Sequence, residues 1–394
     1  MTKPLKIAFL GLRAIGQIPG ADESSSQPTA DPASLNVSGV ERAVEEIATR
    51  LAARGHDVTV FCRRRYNQRR LESFQGVKLV DLPAVYTKHF EAISHTLLAS
   101  FHVLRGYDIV HYHATGPSLV SFLPRLAGRC IVATVHGLDW QREKWRGAAK
   151  LMLRAGAWTA VHFPHRTIVV SQSLQQRYAE EYHRPTVYIP NGVAPAIPRP
   201  PDRIRRFGVK GNDYVLFLGR IVPEKGCHFL IEAFRGLETD TKLLIAGSSS
   251  YTDEYYAKLQ AAAAGDPRVV FTGPLYGAEK DEAFSNARCV AQPSTLEGMP
   301  IVLLEALSHA CPVLCSNIPE NAEVLRASAD GSSPYGLLFK SASVEDLRLR
   351  LADLLANNEG RKRGLAGKAY VEETFSWDQI TTQTEEVYQS VAER

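Results

Sequence analysis

The feature that most constrains the fold is an alternation of short apolar runs with segments whose apolar residues recur at helical spacing. "LKIAFLGL" leads into "GVERAVEEIATRLAARG", where Val40, Ala43, Val44, Ile47, Ala48 and Leu51 fall on one helical stripe, and "HDVTVFC" follows as a second run. The pattern returns in "YDIVHYH", "CIVATVHG" and "RTIVVSQSL", each a short segment of strand-forming types bounded by turn signals. Apolar strands joined through helices predict a parallel sheet covered on both faces. A second series begins after "IPNGVAPAIPRPPDR", which carries five prolines between Pro190 and Pro201 and has the stiff, extended composition of a linker. It runs through "YVLFLGR", "TKLLIAGSS", "RVVFTGPL", "RCVAQPS" and "PVLCSN", with helical segments such as "CHFLIEAFRGL" and "DEYYAKLQAAAA" between them.

The expected class is therefore α/β, with two doubly wound, Rossmann-like domains. The 394 residues suffice for two domains of ordinary size. We expect a first domain over 1–195, a linker over 196–203 and a second domain over 204–375. The amphipathic segment "SWDQITTQTEEVYQSVAE" closes the chain, so residues 376–394 are expected to pack back on the first domain. Residues 14–39 interrupt the regularity with a long stretch of small and turn-forming types. A loop of that length is usually a lid, a binding loop or disordered, and after a first parallel strand it would lie over the carboxyl edge of the sheet.

Composition excludes several classes. No stretch reaches 18 consecutive apolar residues, and the N-terminus enters a strand-like run without a small-residue cleavage site, so a cytoplasmic location is expected. The six cysteines are scattered, and "CPVLC" has neither zinc nor redox spacing; they read as reduced, buried thiols. No Cys/His/Asp cluster has zinc spacing and no G-x-S-x-G occurs, which disfavours a metal site and an acyl-enzyme. "GLRAIG" lacks the lysine and hydroxyl of a P-loop, and Arg13 stands where the dinucleotide fingerprint needs glycine.

Charge is uneven. Residues 1–200 hold 25 Lys and Arg against 15 Asp and Glu, a balance of +10, while residues 201–394 hold 21 against 27, a balance of −6. Five arginines fall within residues 63–70. That run reads either as a solvated loop or as a patch for anionic headgroups or phosphate. Nucleic acid is not expected as a partner, because no zinc-finger, RNP or heptad pattern accompanies it.

Three segments carry candidate chemistry. "STLEGMPIVLLEA" sets Glu297 and Glu305 around an almost wholly apolar stretch. Two carboxylates there need strong donors or a polar cavity. Pro300 suits the first helical position, and Gly298 lets backbone approach a ligand. The start of that helix would then present free N–H groups to a phosphate, with the glutamates at hydroxyls on either side. Alternatively, Glu305 is a paired core residue and Glu297 a solvated one. "GRIVPEKG" puts Arg220 and Lys225 at the carboxyl edge of the second sheet, either as ordinary surface cations or as a pair converging on one diphosphate. "VHGLDWQREKW" places His136 at the end of a first-domain strand, where it is structural or faces a substrate.

Taken together, these pieces resemble the retaining glycosyltransferases of the GT-B fold, family 4 (group 1), with the N-terminal half similar to a subgroup found in bacterial polysaccharide gene clusters. "GRIVPEKG", "FTGPL" and "LEGMPIVLLEA", in this order, look like that family's donor-binding set, and the resemblance implies two domains facing across a cleft. It implies that Arg220 and Lys225 bind the donor diphosphate, that Glu297 with the backbone of Gly298, Met299 and Pro300 holds the transferred sugar, and that Glu305 holds the ribose hydroxyls. It implies His136 beside the sugar O6, Gly39 and its helix near the phosphates, and the backbone of Pro274 and Leu275 at the base. The chain departs from the family in the 14–39 segment, where relatives have a shorter glycine-rich loop.

The expectation is a metal-independent enzyme without cofactor, moving a hexose from a nucleotide sugar to a glycan or lipid-linked acceptor. The basic first half suggests attachment to the inner face of an anionic membrane. Two other readings compete, a sugar-nucleotide 2-epimerase on the same scaffold and a non-catalytic sugar-nucleotide-binding protein. The epimerase needs an acid/base constellation for C2 chemistry that the sequence does not display.

Overall fold

The computed structural model describes residues 3–18, 38–87, 90–143, 145–249, 252–357 and 359–393. Contacts divide the chain into two compact units. The first is built from the chain up to Gln17, the segment ending at Gly192, and everything from Trp377 onward; the second is Val193–Ser376.

The first unit contains β1 (Lys6–Leu10), β2 (Asp57–Arg63), β3 (Ser73–Phe74), β4 (Val77–Leu82), β5 (Ile109–His113), β6 (Cys130–Val135), β7 (Arg166–Val169) and β8 (Val187–Tyr188). They form one sheet in the order β3-β4-β2-β1-β5-β6-β7-β8, parallel except for the β3–β4 pair. Ile7, Phe9, Val110, Tyr112, Val132 and Val135 are fully buried within it, which is why these strands read as continuous apolar runs. The helix Gly39–Ala53 starts where Ser38 caps it and Glu41 reaches back to the Ser38 N–H, two orphan donors satisfied reciprocally. The terminal helix Trp377–Ala392 packs on the Gly39–Ala53 helix and on β6, held by ion pairs from Arg50 to Asp378 and from Arg54 to Glu385.

The second unit contains β9 (Tyr214–Leu218), β10 (Lys242–Ala246), β11 (Val269–Gly273), β12 (Cys289–Gln292), β13 (Val313–Ser316) and β14 (Leu337–Phe339). Its sheet is parallel throughout, in the order β11-β10-β9-β12-β13-β14. The Pro-rich stretch begins against the chain's return: Val193 donates to Phe375 O at 2.7 Å and pairs with Ser376.

In each sheet the strand order reverses once, between β1 and β5 in the first unit and between β9 and β12 in the second. At such a point the outgoing loops diverge and leave a crevice at the carboxyl ends of the strands, where ligands of open α/β sheets bind. The chain is tight at both reversals. Gly11, after β1, has φ +100, and a Cβ there would stand 2.4 Å from His113 O. Gly226, after β9, has φ +69, and a Cβ there would stand 2.0 Å from Pro293 O. Only glycine satisfies both the backbone conformation and the approach.

The long 14–39 segment falls mostly on residues outside those described. Its beginning is not a lid: Ala14, Ile15 and Gln17 are buried, Gly16 N donates to Glu45 at 2.7 Å, and Gln17 Nε2 donates to Asn67 at 3.0 Å. The arginine run is likewise not one free patch. Arg63 is buried against Glu91 at 2.8 Å and Arg69 donates to Gly16 O at 3.1 Å, while Arg64, Arg65 and Arg70 are exposed. All six cysteines are free thiols, five of them buried.

Gly226→Ala is expected to destabilise the protein by about 1–3 kcal/mol, the range for a residue forced into a sparsely populated backbone region, measured by urea unfolding. A change within about 0.5 kcal/mol, the ordinary surface range, would contradict the close approach of the two loops.

Candidate active site

The second unit's reversal point joins two of the three motif segments. Lys225 ends the 3-10 turn Pro223–Lys225 that follows β9, and Glu297 lies in the loop after β12. Their side chains meet at 2.5 Å, both largely buried, with 15% and 9% exposure. The two loops are tied together behind them, Thr295 N donating to Glu224 O at 2.9 Å.

Glu297 also accepts from Ser294 Oγ at 2.6 Å and from Gln292 Nε2 at 3.2 Å. The supports are themselves fixed. Gln292 Nε2 donates to Ser294 Oγ at 2.8 Å, the Ser316 hydroxyl donates to Ser294 O, and Asn321 Nδ2 donates to Ser316 Oγ at 2.9 Å. Burial alone would raise the Glu297 carboxyl above its ordinary value of 4.5, but the Lys225 charge and the donors from Lys225, Ser294 and Gln292 outweigh burial and hold it below. Glu297 is thus an anion at neutral pH, fit to accept hydrogen bonds from hydroxyl groups. Because its folded value lies below 4.5, the stability this carboxylate contributes is present above that pH and lost as the pH falls below it.

Gly298, Met299 and Pro300 follow, all buried, and lead into the helix Ile301–Ser308. Pro300 corrects the sequence expectation. It is the N-cap, at φ −78 and ψ 97, rather than the first helical residue, so the helix begins one residue later with Pro300 still extended. Glu305, in the second turn, is met by Lys280 at 2.7 Å. Its charge is paired, as one of the two sequence readings had it, by a lysine on the helix Gly277–Ser285.

Arg220 directly follows Gly219 at the end of β9 and is half-buried. Pro274 and the buried Leu275 follow β11, so both stand at the carboxyl edge of the same sheet.

In the first unit, Gly39 is exposed at the start of its helix, and Glu41 two residues on is buried. Burial would raise the Glu41 carboxyl, but Arg13, the Ser38 hydroxyl, the Arg13 N–H and Arg63 hold it below the ordinary value. His136 directly follows β6 and is half-buried. Burial pushes its pKa down to about 4, against the carboxylates of Asp139 and Glu41, so the ring is neutral at pH 7. Its Nε2 lies 2.9 Å from His113 Nδ1. Asp139 is held by Thr115 Oγ1 and Arg142, each at 3.1 Å.

Sequence reasoning missed Lys280, Gln292, Ser294 and His113. Only His113 left a signal, as the second histidine of "HYH" on the same face of a strand as His111. Among the described residues no group of three or more His, Cys, Asp or Glu is placed to hold a metal ion, and no helix is long and apolar enough to cross a membrane.

The family model described as "Glycosyl transferases group 1" matches residues 201–365, and that of "Glycosyltransferase Family 4" matches residues 37–196. The chain is 28% identical to alpha-maltose-1-phosphate synthase of Mycolicibacterium smegmatis, over 72% of this chain and 79% of that protein. It is 28% identical to phosphatidyl-myo-inositol mannosyltransferase of Mycobacterium leprae, over 90% of this chain and 93% of that one. Its fold matches HepE of Anabaena, solved in complex with UDP and glucose, with a TM-score of 0.76 at 20% identity, over 98% of this chain and 100% of that chain. The architecture is therefore the GT-B fold. The chain belongs to the group 1, family 4 glycosyltransferases and is an enzyme, a hexosyltransferase.

Lys225→Met leaves Glu297 buried without its cation and is expected to destabilise the protein by about 3 kcal/mol. Adding Glu297→Gln in the same chain should recover most of that loss in urea unfolding. Additive losses would show that the two charges are not coupled.

Proposed function

We propose that the protein is a retaining, metal-independent transferase that moves a hexose from a nucleoside-diphosphate sugar to a glycan or lipid-linked acceptor in cell-surface polysaccharide or glycolipid synthesis. The observation that carries the reading is the Lys225–Glu297 pair at the reversal point of the second sheet, one turn of chain before the helix Ile301–Ser308. It sets a cation for a diphosphate beside an anion for a sugar. Arg220 and Lys225 hold the diphosphate. Glu297, with the backbone of Gly298, Met299 and Pro300, holds the hexose; Glu305 holds the ribose; the backbone at Pro274 and Leu275 meets the base. His136 serves the sugar O6, and the helix opening at Gly39 approaches the phosphates.

Negative charge grows on the diphosphate as the C1–O bond to phosphate breaks, so cations there stabilise the transition state more than the ground state. The acceptor oxygen forms its bond to C1 on the same face. Its proton passes to the departing phosphate oxygen, and the products are the glycoside and a nucleoside diphosphate. Glu297 is assigned to the sugar hydroxyls and not to C1, which favours this route over a double displacement through a glycosyl-enzyme.

A lipid acceptor fits the surface of the first unit. The helix Gly147–His162 exposes Lys150, Leu151, Arg154 and Trp158 at positions that share one face, with Leu151 69% and Trp158 47% exposed. Cations around an exposed Trp and Leu suit the interface of an anionic leaflet, at a location on the inner face of the membrane. The mycobacterial relative is named for a phosphatidyl-myo-inositol mannosyltransferase.

Incubation with a panel of nucleotide sugars is expected to release nucleoside diphosphate from one of them equally well in EDTA, and an epimerised donor would instead support the epimerase. Lys225→Ala is expected to lower kcat about tenfold to a thousandfold, the range for losing a charge-stabilising group; unchanged turnover would sink the assignment. Reversing Lys150 and Arg154 to Glu should weaken co-sedimentation with phosphatidylglycerol vesicles by at least about 30-fold, at about 1 kcal/mol per cation. Equal binding to phosphatidylcholine vesicles would contradict membrane attachment through this face.

A further inference from the structure

Three histidines meet behind the first unit's reversal point, and their hydrogen bonds determine what one of them can do. His111 and His113 share a face of β5, with ring centroids 4.1 Å apart, and Phe9 of β1 packs on both at 5.4 and 5.5 Å. His111 is saturated. Its Nδ1 bonds the Tyr388 hydroxyl at 2.6 Å and its Nε2 bonds Thr134 Oγ1 at 2.7 Å. His113 is different: its Nδ1 faces His136 Nε2 at 2.9 Å, while its own Nε2 is buried with no partner.

Burial holds both rings neutral at pH 7, His136 at about 4 and His113 well below the ordinary value. Two neutral imidazoles can share this bond in two ways. If His136 donates from Nε2, His113 must carry its own proton on Nε2, which is a buried N–H with no acceptor. If His113 donates from Nδ1, its bare Nε2 is an unfilled acceptor. Either arrangement leaves one buried group unmatched, at about 1–3 kcal/mol, but among buried backbone groups an orphaned N–H is rarer than an under-satisfied acceptor, and the same preference applied to the imidazole disfavours the N–H on Nε2. The second arrangement is favoured.

We propose that His113 is a positioning residue that donates from Nδ1 to His136 Nε2 and thereby locks His136 in the Nδ1–H tautomer, leaving His136 only a hydrogen-bond donor to offer a substrate. The consequence for chemistry is specific and rests on the reading of His136 as a donor-sugar contact. With its lone pair engaged by His113, His136 cannot take a proton from the acceptor. It can donate from Nδ1 to a hydroxyl oxygen of the sugar. The proton of the acceptor must then go elsewhere, which agrees with its transfer to the departing phosphate. The row is fastened at its far end by Tyr388 of the terminal helix, so the packing of Trp377–Ala392 supports the ring two histidines away.

The test is the tautomer itself. Two-bond 1H–15N correlation spectra of the full chain labelled with 15N-histidine, at pH 7.5, should show His136 protonated on Nδ1, with its signals identified by their loss in His136→Asn. His113→Asn, whose amide can donate from nearly the same place, should keep that pattern. His113→Leu, which removes the donor, should shift His136 toward the Nε2–H form. A wild-type His136 protonated on Nε2 would overturn the proposal, and so would an unchanged tautomer in a folded His113→Leu. If His113→Leu does not fold, the wild type and His113→Asn decide. Wild-type turnover in His136→Ala would overturn the use of that proton on substrate, and it is read separately from the tautomer.

Discussion

The second unit is organised around one ion pair placed where its sheet reverses direction. Two ionised groups with 15% and 9% exposure lose most of their hydration, and such a pair adds little net stability unless its remaining hydrogen-bonding capacity is met. Here one carboxylate oxygen, Oε1, takes all three donors, Lys225, Ser294 and Gln292; Ser294 is braced by Gln292 and by Ser316, and Ser316 by Asn321. The bracing comes from β12, β13 and the helix Pro319–Val324, so several elements of the fold hold this carboxylate oxygen in place. Gly226 and the Thr295 hydrogen bond bring the loop bearing the cation against the loop bearing the anion. This is a site whose electrostatics are set before a ligand arrives, which is what stabilising a charge that develops in a transition state requires.

The first unit uses the same sheet logic with different chemistry. At its reversal point Gly11 touches the end of β5, and the side chains behind that contact are neutral imidazoles rather than an ion pair. Burial keeps them uncharged, and their hydrogen bonds run from the terminal helix through Tyr388 and His111 on one side and from His113 to His136 on the other. The second unit buries an ion pair at the carboxyl edge of its sheet, and the first unit buries hydrogen-bonded neutral imidazoles at the edge of its own. Both are consequences of which polar groups the sheet buries at its carboxyl edge.

Much of this was legible in the sequence. Ten strand segments were visible as apolar runs because both faces of a parallel sheet are covered, and "GRIVPEKG" with "LEGMPIVLLEA" marked the second unit's edge. The strands that escaped notice, β3, β4, β8 and β14, are short, half-buried or both, so they carry little apolar signal. The partners of the charged residues were invisible for a different reason. Lys280 stands 25 residues from Glu305, and His113 stands 23 from His136; each pair is created by strand adjacency or helix packing that no local pattern encodes. Ser294 and Gln292 were close to Glu297 in sequence, yet nothing in their types distinguishes a buried hydrogen-bond donor from an ordinary loop residue. The arginine run divides in a way the sequence does not mark, Arg63 buried against Glu91 while Arg64, Arg65 and Arg70 stay exposed, since local density of charge says nothing about which cation a neighbouring helix will bury.

The most direct measurement of the central claim is a crystal structure of the protein soaked with UDP, GDP or ADP. The account predicts a diphosphate bound between Arg220, Lys225 and the first N–H groups of the helix Ile301–Ser308, with the Glu297 carboxylate still held by Ser294 and Gln292. A diphosphate bound elsewhere, with Lys225 making no contact to it, would contradict the account.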